Sequence, residues 1–255
     1  MVKEVENKRG QVTIWIIVAL AIVVGFLILF SFKKIPILGV SEEIVPTSYI
    51  DKCVRQAVNE ATDKLLPRGG FLDPVNTKEY NRVNVSYLCE NINYYLPCVN
   101  EHPMLIKEIK NEIHNYTSPR IEQCFADLKS ELEKRQNKVE YGPTKFEVSL
   151  APSKVFVNID KRVSITRESE TRTLNKFSIE LLNPVYDLAN IAIEIANNNA
   201  KYCYFEYVGY MILYPRWKIE VFSFSEGTRI YTITDKNSDK KMSVAIRGCA
   251  IPPGI

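Results

Sequence analysis

The sequence predicts an α+β fold: an N-terminal transmembrane helix, then a disulfide-bearing ectodomain that is first helical and then an antiparallel β-sheet. Three observations carry this reading. Residues 12–32 hold no Asp, Glu, Lys or Arg. Apolar residues recur at three- and four-residue spacing in several stretches between 47 and 142. Beyond Gly142-Pro143 the apolar period changes to two.

The uncharged run is 21 residues long, against the roughly 20 that cross about 30 Å of hydrocarbon. It is apolar on every face, with Trp15 near one end where its ring suits a membrane interface. Residues 33–46 contain Pro36, Gly39 and Pro46 and read as a linker, because each proline lacks a donor and disfavours helix before it. A helix is expected from Ser48, with Thr47 as its N-cap. Ile50, Cys53, Val54, Ala57, Val58, Ala61 and Leu65 form its apolar stripe, and Pro67 with Gly69-Gly70 ends it.

Residues 71–102 read as mixed and turn-rich. A second stripe runs through Leu105, Ile106, Ile109, Ile113 and Tyr116. A third runs through Ile121, Cys124, Phe125, Leu128 and Leu132, after Ser118-Pro119 as N-cap and first-turn proline. The two stripes fit either two helices or one kinked helix. Phe146, Val148 and Leu150 then alternate, as do Val155 to Ile159, Val163 with Ile165, and Phe177 to Leu181, giving a meander that turns near Pro152 and 167–171. Asn183-Pro184 opens a helix carrying Leu188, Ile191, Ala192 and Ile195 to a stop at 197–199. Strands are expected at 217–224, 228–234 and 241–247, with a polar hairpin turn between the last two. The expected organisation is a cytoplasmic leader (1–10), the transmembrane helix (11–32), the linker (33–46), a mainly helical part (47–142) and a β-rich part with one helix (143–255).

The net charge of +3 is small and unclustered, so no nucleic-acid partner is implied. All six cysteines, Cys53, Cys89, Cys98, Cys124, Cys203 and Cys249, follow the apolar run. An even count on one side of a membrane suggests disulfides in an oxidising compartment; reduced, buried thiols are the other reading. Six cysteines allow 15 pairings. Cys53 and Cys124 lie in helical stripes that bring them together if those helices pack, Cys89 and Cys98 are near in sequence, and Cys203 with Cys249 then remain. Two Asn-x-Ser/Thr sequons, at Asn84 and Asn115, are candidate glycosylation sites.

Lys8-Arg9-Gly10-Gln11 abuts the apolar run, and no small-residue cleavage site follows Phe32. This pattern resembles the class III signal peptide of archaeal type IV pilin-like precursors. The resemblance implies a prepilin peptidase-like enzyme as partner, cutting between Gly10 and Gln11 on the cytoplasmic side. Gln11 and Thr13 match that family, but Trp15 stands where it carries the Glu associated with filament assembly. A plain anchor with a basic flank is the alternative. The segment Ser48-Tyr49-Ile50-Asp51-Lys52-Cys53, then Gly69-Gly70-Phe71, Tyr94-Tyr95 and Cys124, is similar to membrane-anchored proteins of small-genome archaea, a group that implies no activity. Lys3, Lys8 and Arg9, offset by Glu4 and Glu6, face Lys33 and Lys34 across the run, so loop charge barely sets orientation. The signal, the cysteines and the sequons place the ectodomain outside the cell membrane.

Catalytic chemistry is not announced. The two histidines, His102 and His114, sit in no metal-binding spacing, and no Cys-x-x-Cys, phosphate loop or Gly-x-Gly-x-x-Gly occurs. No cofactor and no enzyme are expected. Tyr202, Tyr204, Phe205, Tyr207, Tyr210 and Tyr214 form either packing or a partner- or carbohydrate-binding face. The expected role is a pilin-like surface protein, structural or adhesive, with other surface proteins or like subunits as partners; the alternative is a tethered binding module that does not assemble.

Overall fold

The computed structural model describes residues 8–32, 44–93 and 95–249, in two separate units, Met1–Glu43 and Ile44–Ile255. The first unit contains helix α1 (Lys8–Phe32). Side chains are described over 15–27 and are mostly exposed, Trp15 among them. The transmembrane helix expected over 11–32 is corrected: among the described residues, no helix is long and apolar enough to cross a membrane. Residues 1–7 of the expected leader and 33–43 of the expected linker lie outside the described residues.

In the second unit, α2 (Pro46–Leu65) buries Ile50, Val54, Ala57, Val58, Ala61 and Leu65, the stripe read from the sequence. It starts earlier than expected. Proline's fixed φ suits the first helical position, so Pro46 begins the helix, Val45 is the cap and Thr47 lies inside. A 3-10 turn at Leu66–Arg68 follows, and Gly69 (φ +83°) and Gly70 (φ +100°) end it in backbone conformations that favour glycine.

The turn-rich segment contains three strands: β1 (Thr77–Tyr80), β2 (Val83–Glu90) and β3 (Val99–Asn100). Asn81 and Arg82, both at positive φ (50° and 64°), join β1 to β2 as a two-residue hairpin of the I′ kind. Helix α3 (Leu105–Glu133) passes straight through Pro119. The proline removes one helical hydrogen bond, a cost of about 3 kcal/mol. The buried row Ile109, Ile113, Ile121, Phe125, Leu128 and Leu132 outweighs it, at roughly 1.5–3 kcal/mol per buried side chain.

A four-stranded antiparallel sheet follows: β4 (Lys138–Tyr141), β5 (Lys145–Ala151), β6 (Lys154–Arg167) and β7 (Glu170–Leu182). The long β6 takes β7 along one edge, and β5 and then β4 along the other. Helix α4 (Val185–Tyr202) runs past the expected stop at 197–199, and Cys203 closes it at φ +58°. The C-terminal part has a second helix that the sequence reading lacks, α5 (Tyr207–Leu213), then β8 (Trp217–Ser223), β9 (Thr228–Asp235) and β10 (Lys241–Arg247).

These last strands form a six-stranded sheet in the order β1-β2-β10-β9-β8, with β3 also on β2. β10 runs parallel to β2. The sheet is mixed, which corrects the purely antiparallel expectation. A parallel neighbour needs a long crossover, and everything from α3 to β9 supplies it. The main core lies between the sheets. α2 and α3 pack on the four-stranded sheet, and α4 touches strands of both. Arg216 also ties the sheets together. Its guanidinium donates to both oxygens of buried Asp235 at 2.8 and 3.1 Å and to Ser153 Oγ at 3.0 Å. Burial opposes ionisation of Asp235, but hydrogen bonds from Arg216 and Ser238 outweigh it and hold the carboxyl below the usual range.

Candidate functional site: a cleft in the curled sheet

Sheet residues alternate between faces, and the six-stranded sheet uses both. Tyr231, Ile233, Met242, Val244 and Ile246 face the main core. The opposite face carries a second, separate cluster of Val85, Tyr87, Ile230 and Ala245, with Tyr80 and Phe224 against it. Strand register explains this cluster: Phe222, Ile230, Ala245 and Tyr87 are successive partners across β8, β9, β10 and β2. The next row on that face is Glu220, Thr232 and Ser243.

The sheet curls strongly around this face. In a flat sheet, four inter-strand spacings put β1 and β8 about 19 Å apart. Here the rings of Tyr80 on β1 and Phe222 on β8 lie with centroids 5.3 Å apart. Lys78 of β1 pairs with Glu226, in the turn after β8, and its Nζ lies 4.2 Å from the Phe224 ring centroid. Two sequence features permit the curl. The middle of the concave face is built of small residues, Thr232, Ser243 and Ala245, with aromatics at the edges. In addition, the β2–β10 register shifts at Tyr87/Cys89, one extra residue on β2, and such bulges bend strands. The extra residue also lets both Leu88 and Cys89 enter the main core.

The result is a cleft of about 490 Å³, with Val85, Thr232 and Ser243 at its floor, Tyr80 and Phe222 at its walls, and Asn81, Glu220, Lys241 and Pro67 around its rim. That volume falls in the range of about 300–1,000 Å³ usual for small-ligand sites. Thr232 Oγ1 and Ser243 Oγ are 3.1 Å apart and bonded to each other. Tyr87 Oη and Thr228 Oγ1, 2.9 Å apart and buried, fix the neighbouring row. Glu220 is half-exposed and paired with Lys218 at 2.9 Å. The cleft offers hydroxyls, one carboxylate, one ammonium, one carboxamide and two aromatic faces.

The cysteines form three disulfides, and the pairs are those set out from the sequence. Cys53–Cys124 joins the facing stripes of α2 and α3 (Cα–Cα 6.0 Å), Cys89–Cys98 closes the loop from β2 to β3 (5.3 Å), and Cys203–Cys249 joins the end of α4 to the chain beyond β10 (5.6 Å). The last two staple β2 and β10, the strands that floor the cleft. The side chains of Lys8, Arg9, Gly10 and Gln11 are outside those described, although their backbone begins α1.

Asn84 on β2 and Asn115 on α3 are exposed, but the sequon hydroxyls are not. Ser86 is buried, and so is Thr117, whose hydroxyl donates to the Ile113 carbonyl at 2.8 Å. His102 Nδ1 lies 2.8 Å from Glu108 Oε2, and His114 stacks on Phe146 with centroids 4.3 Å apart. Among the described residues, no group of three or more His, Cys, Asp or Glu is placed to hold a metal.

The aromatic segment 202–214 does not reach the cleft. Phe205 is a buried member of the main core, and Tyr210, its ring 5.5 Å away, packs against that core. Tyr202, Tyr204 and Tyr214 are exposed beside Val208, Ile212 and Leu213 of α5. Tyr80, Val85 and Tyr87 escape sequence reasoning because 71–102 reads as mixed and turn-rich; the alternation Val83, Val85, Tyr87 is the signal that marks the strand. No family model, curated protein or solved structure matches the chain.

Proposed function

We propose that this chain is a disulfide-stapled binding module of an oxidising, extracytoplasmic compartment, acting by holding a ligand in the concave cleft of its six-stranded sheet. The cleft itself is the observation that carries the reading. A sheet face turned from the main core, lined by half-buried aromatics and hydroxyls and fixed by two disulfides at its floor strands, has the composition of a recognition site. Three disulfides with no cysteine left free among the described residues support the compartment. The role is binding rather than catalysis, because the polar groups converge on a space without forming an acid–base or nucleophile–base pair.

Fluorine NMR of the full chain against a fluorinated fragment library tests this. Fragments should broaden on the native protein and sharpen again on a Ser243→Phe variant, whose ring fills the floor, with the thermal midpoint held. A library that treats the two proteins alike contradicts the proposal. A second reading, a pilin-like surface protein cut by a prepilin peptidase-like enzyme, is favoured by Lys8-Arg9-Gly10-Gln11. The N-terminal mass of the native protein checks it.

A further inference from the structure

We infer that the ligand of the cleft is a neutral saccharide; this rests on the cleft being a binding site at all. Four observations lead there. First, the aromatic wall is accessible: Phe222 stays 48% exposed although its ring packs on that of Tyr80, with centroids 5.3 Å apart at an interplanar angle of 39°. Ring faces are electron-rich and attract C–H groups that carry partial positive charge. A pyranose presents such C–H groups on one face and hydroxyls around its rim.

Second, the polar groups match that rim. Because Thr232 Oγ1 and Ser243 Oγ bond to each other, one hydroxyl keeps its hydrogen free for the ligand and both keep lone pairs. Glu220 accepts from neighbouring hydroxyls in bidentate fashion, and Asn81 both donates and accepts.

Third, the one acid of the lining, Glu220, is already paired with Lys218, and the one base, Lys241, is exposed. Neither offers an ionic ligand a desolvated, unpaired charge, so the cleft makes no strong charge demand.

Fourth, the floor is a sheet face, not a sheet edge. The floor strands β2, β9 and β10 are each paired on both sides, β2 with β1 and β10, β9 with β8 and β10, and β10 with β9 and β2. No backbone donors or acceptors in the floor remain for a peptide that binds by strand addition. An acyl chain is disfavoured for a different reason. It would strip water from Glu220 and the paired hydroxyls without replacing those hydrogen bonds.

The test is saturation-transfer NMR on the full chain with β-linked disaccharides of glucose, galactose, mannose and N-acetylglucosamine. An extended tetrapeptide and decanoate serve as comparison probes. At least one saccharide should receive saturation at its C–H face. Phe222→Ala should weaken it at least tenfold and Thr232→Val severalfold, with the thermal midpoint within a few degrees of native. Phe222 is half-exposed and Thr232→Val is nearly isosteric, so the two variants do not share a folding liability. Cleft resonances that respond to the peptide or decanoate but to no saccharide overturn the saccharide assignment and leave the binding reading standing. A saccharide signal that survives both variants overturns its placement in the cleft. Silence of the Phe222 and Tyr80 resonances toward every probe overturns both.

Discussion

Replacing Cys53 and Cys124 together by alanine frees the longest of the three covalent loops. The pairs are separated by 71, 46 and 9 residues for Cys53–Cys124, Cys203–Cys249 and Cys89–Cys98. In the chain-entropy account, a bridge lowers unfolded-state entropy by 2.1 + 1.5R ln n cal/mol/K, which gives ~4.4, ~4.0 and ~2.6 kcal/mol at 25 °C. For a unit of this size each kcal/mol moves the thermal midpoint by about 2–4 °C. The Cys53→Ala/Cys124→Ala chain should then melt about 9–18 °C below the native chain, and Cys89→Ala/Cys98→Ala about 5–10 °C below it. The native side chains are well placed for this comparison: Cys124 is buried beside Phe125, and Cys53 packs on the same core, so alanine leaves only small voids at both positions. Circular dichroism melts of the full chain without reductant measure both variants. A Cys53/Cys124 variant no less stable than the Cys89/Cys98 variant refutes the reasoning, as do free thiols at Cys53 and Cys124 in native protein mapped by peptide mass spectrometry.

Three other outcomes are expected. Gly70→Ala should cost about 2–4 kcal/mol in chemical denaturation, because its Cβ would lie 2.8 Å from Ile109 Cδ1 at a backbone φ of +100°; a loss below 1 kcal/mol, roughly the plain Gly-to-Ala propensity scale, contradicts it. The Tyr210 phenol is pushed up to about 12, chiefly by burial, with Glu194 and Tyr214 adding. The folded chain thus keeps a proton that an unfolded tyrosine releases near pH ~10, so this contribution to stability is full below that pH and fades as the pH climbs toward the folded value. Tyr210→Phe should flatten the alkaline loss of stability, and an unchanged profile counts against the assignment. Native protein processed as the pilin-like resemblance implies begins at Gln11, and an intact mass that includes Met1 or Val2 removes the resemblance's main consequence.

The sequence made α2, α3, α4 and the C-terminal strands legible because burial on one face imposes a period; α5, which buries no residue fully, was not legible. Ile50 to Leu65, Ile109 to Leu132 and the alternations from Phe146 to Leu181 are such faces. It misplaced features set by more distant partners. Pro119 leaves two helices or one kinked helix open until the buried row on both sides of it is seen to be continuous. Val83, Val85 and Tyr87 look like a fragment of turn, because the strand they form is held by β10, whose residues lie more than 150 positions later. The cleft was invisible for the same reason. Its walls, Tyr80 and Phe222, come from strands at opposite ends of the sheet order, and only the curl brings them together. The aromatic run 202–214 drew attention through density alone, yet its densest members serve packing. The uncharged run 12–32 illustrates the opposite case, a strong composition signal whose spanning helix is not found among the described residues.

The most direct test of the central claim, that the concave face of the six-stranded sheet is a ligand site, is a crystallographic soak of the full chain with a small-fragment set. Bound fragments should cluster in the cleft over Val85, Thr232 and Ser243 beside the Tyr80–Phe222 pair, with polar atoms within hydrogen-bond distance of Thr232 Oγ1, Ser243 Oγ or the Glu220 carboxylate. Fragments that leave this cleft empty while settling elsewhere, for example in the groove lined by Ile106, Lys107, Leu150 and Ile193, would contradict it.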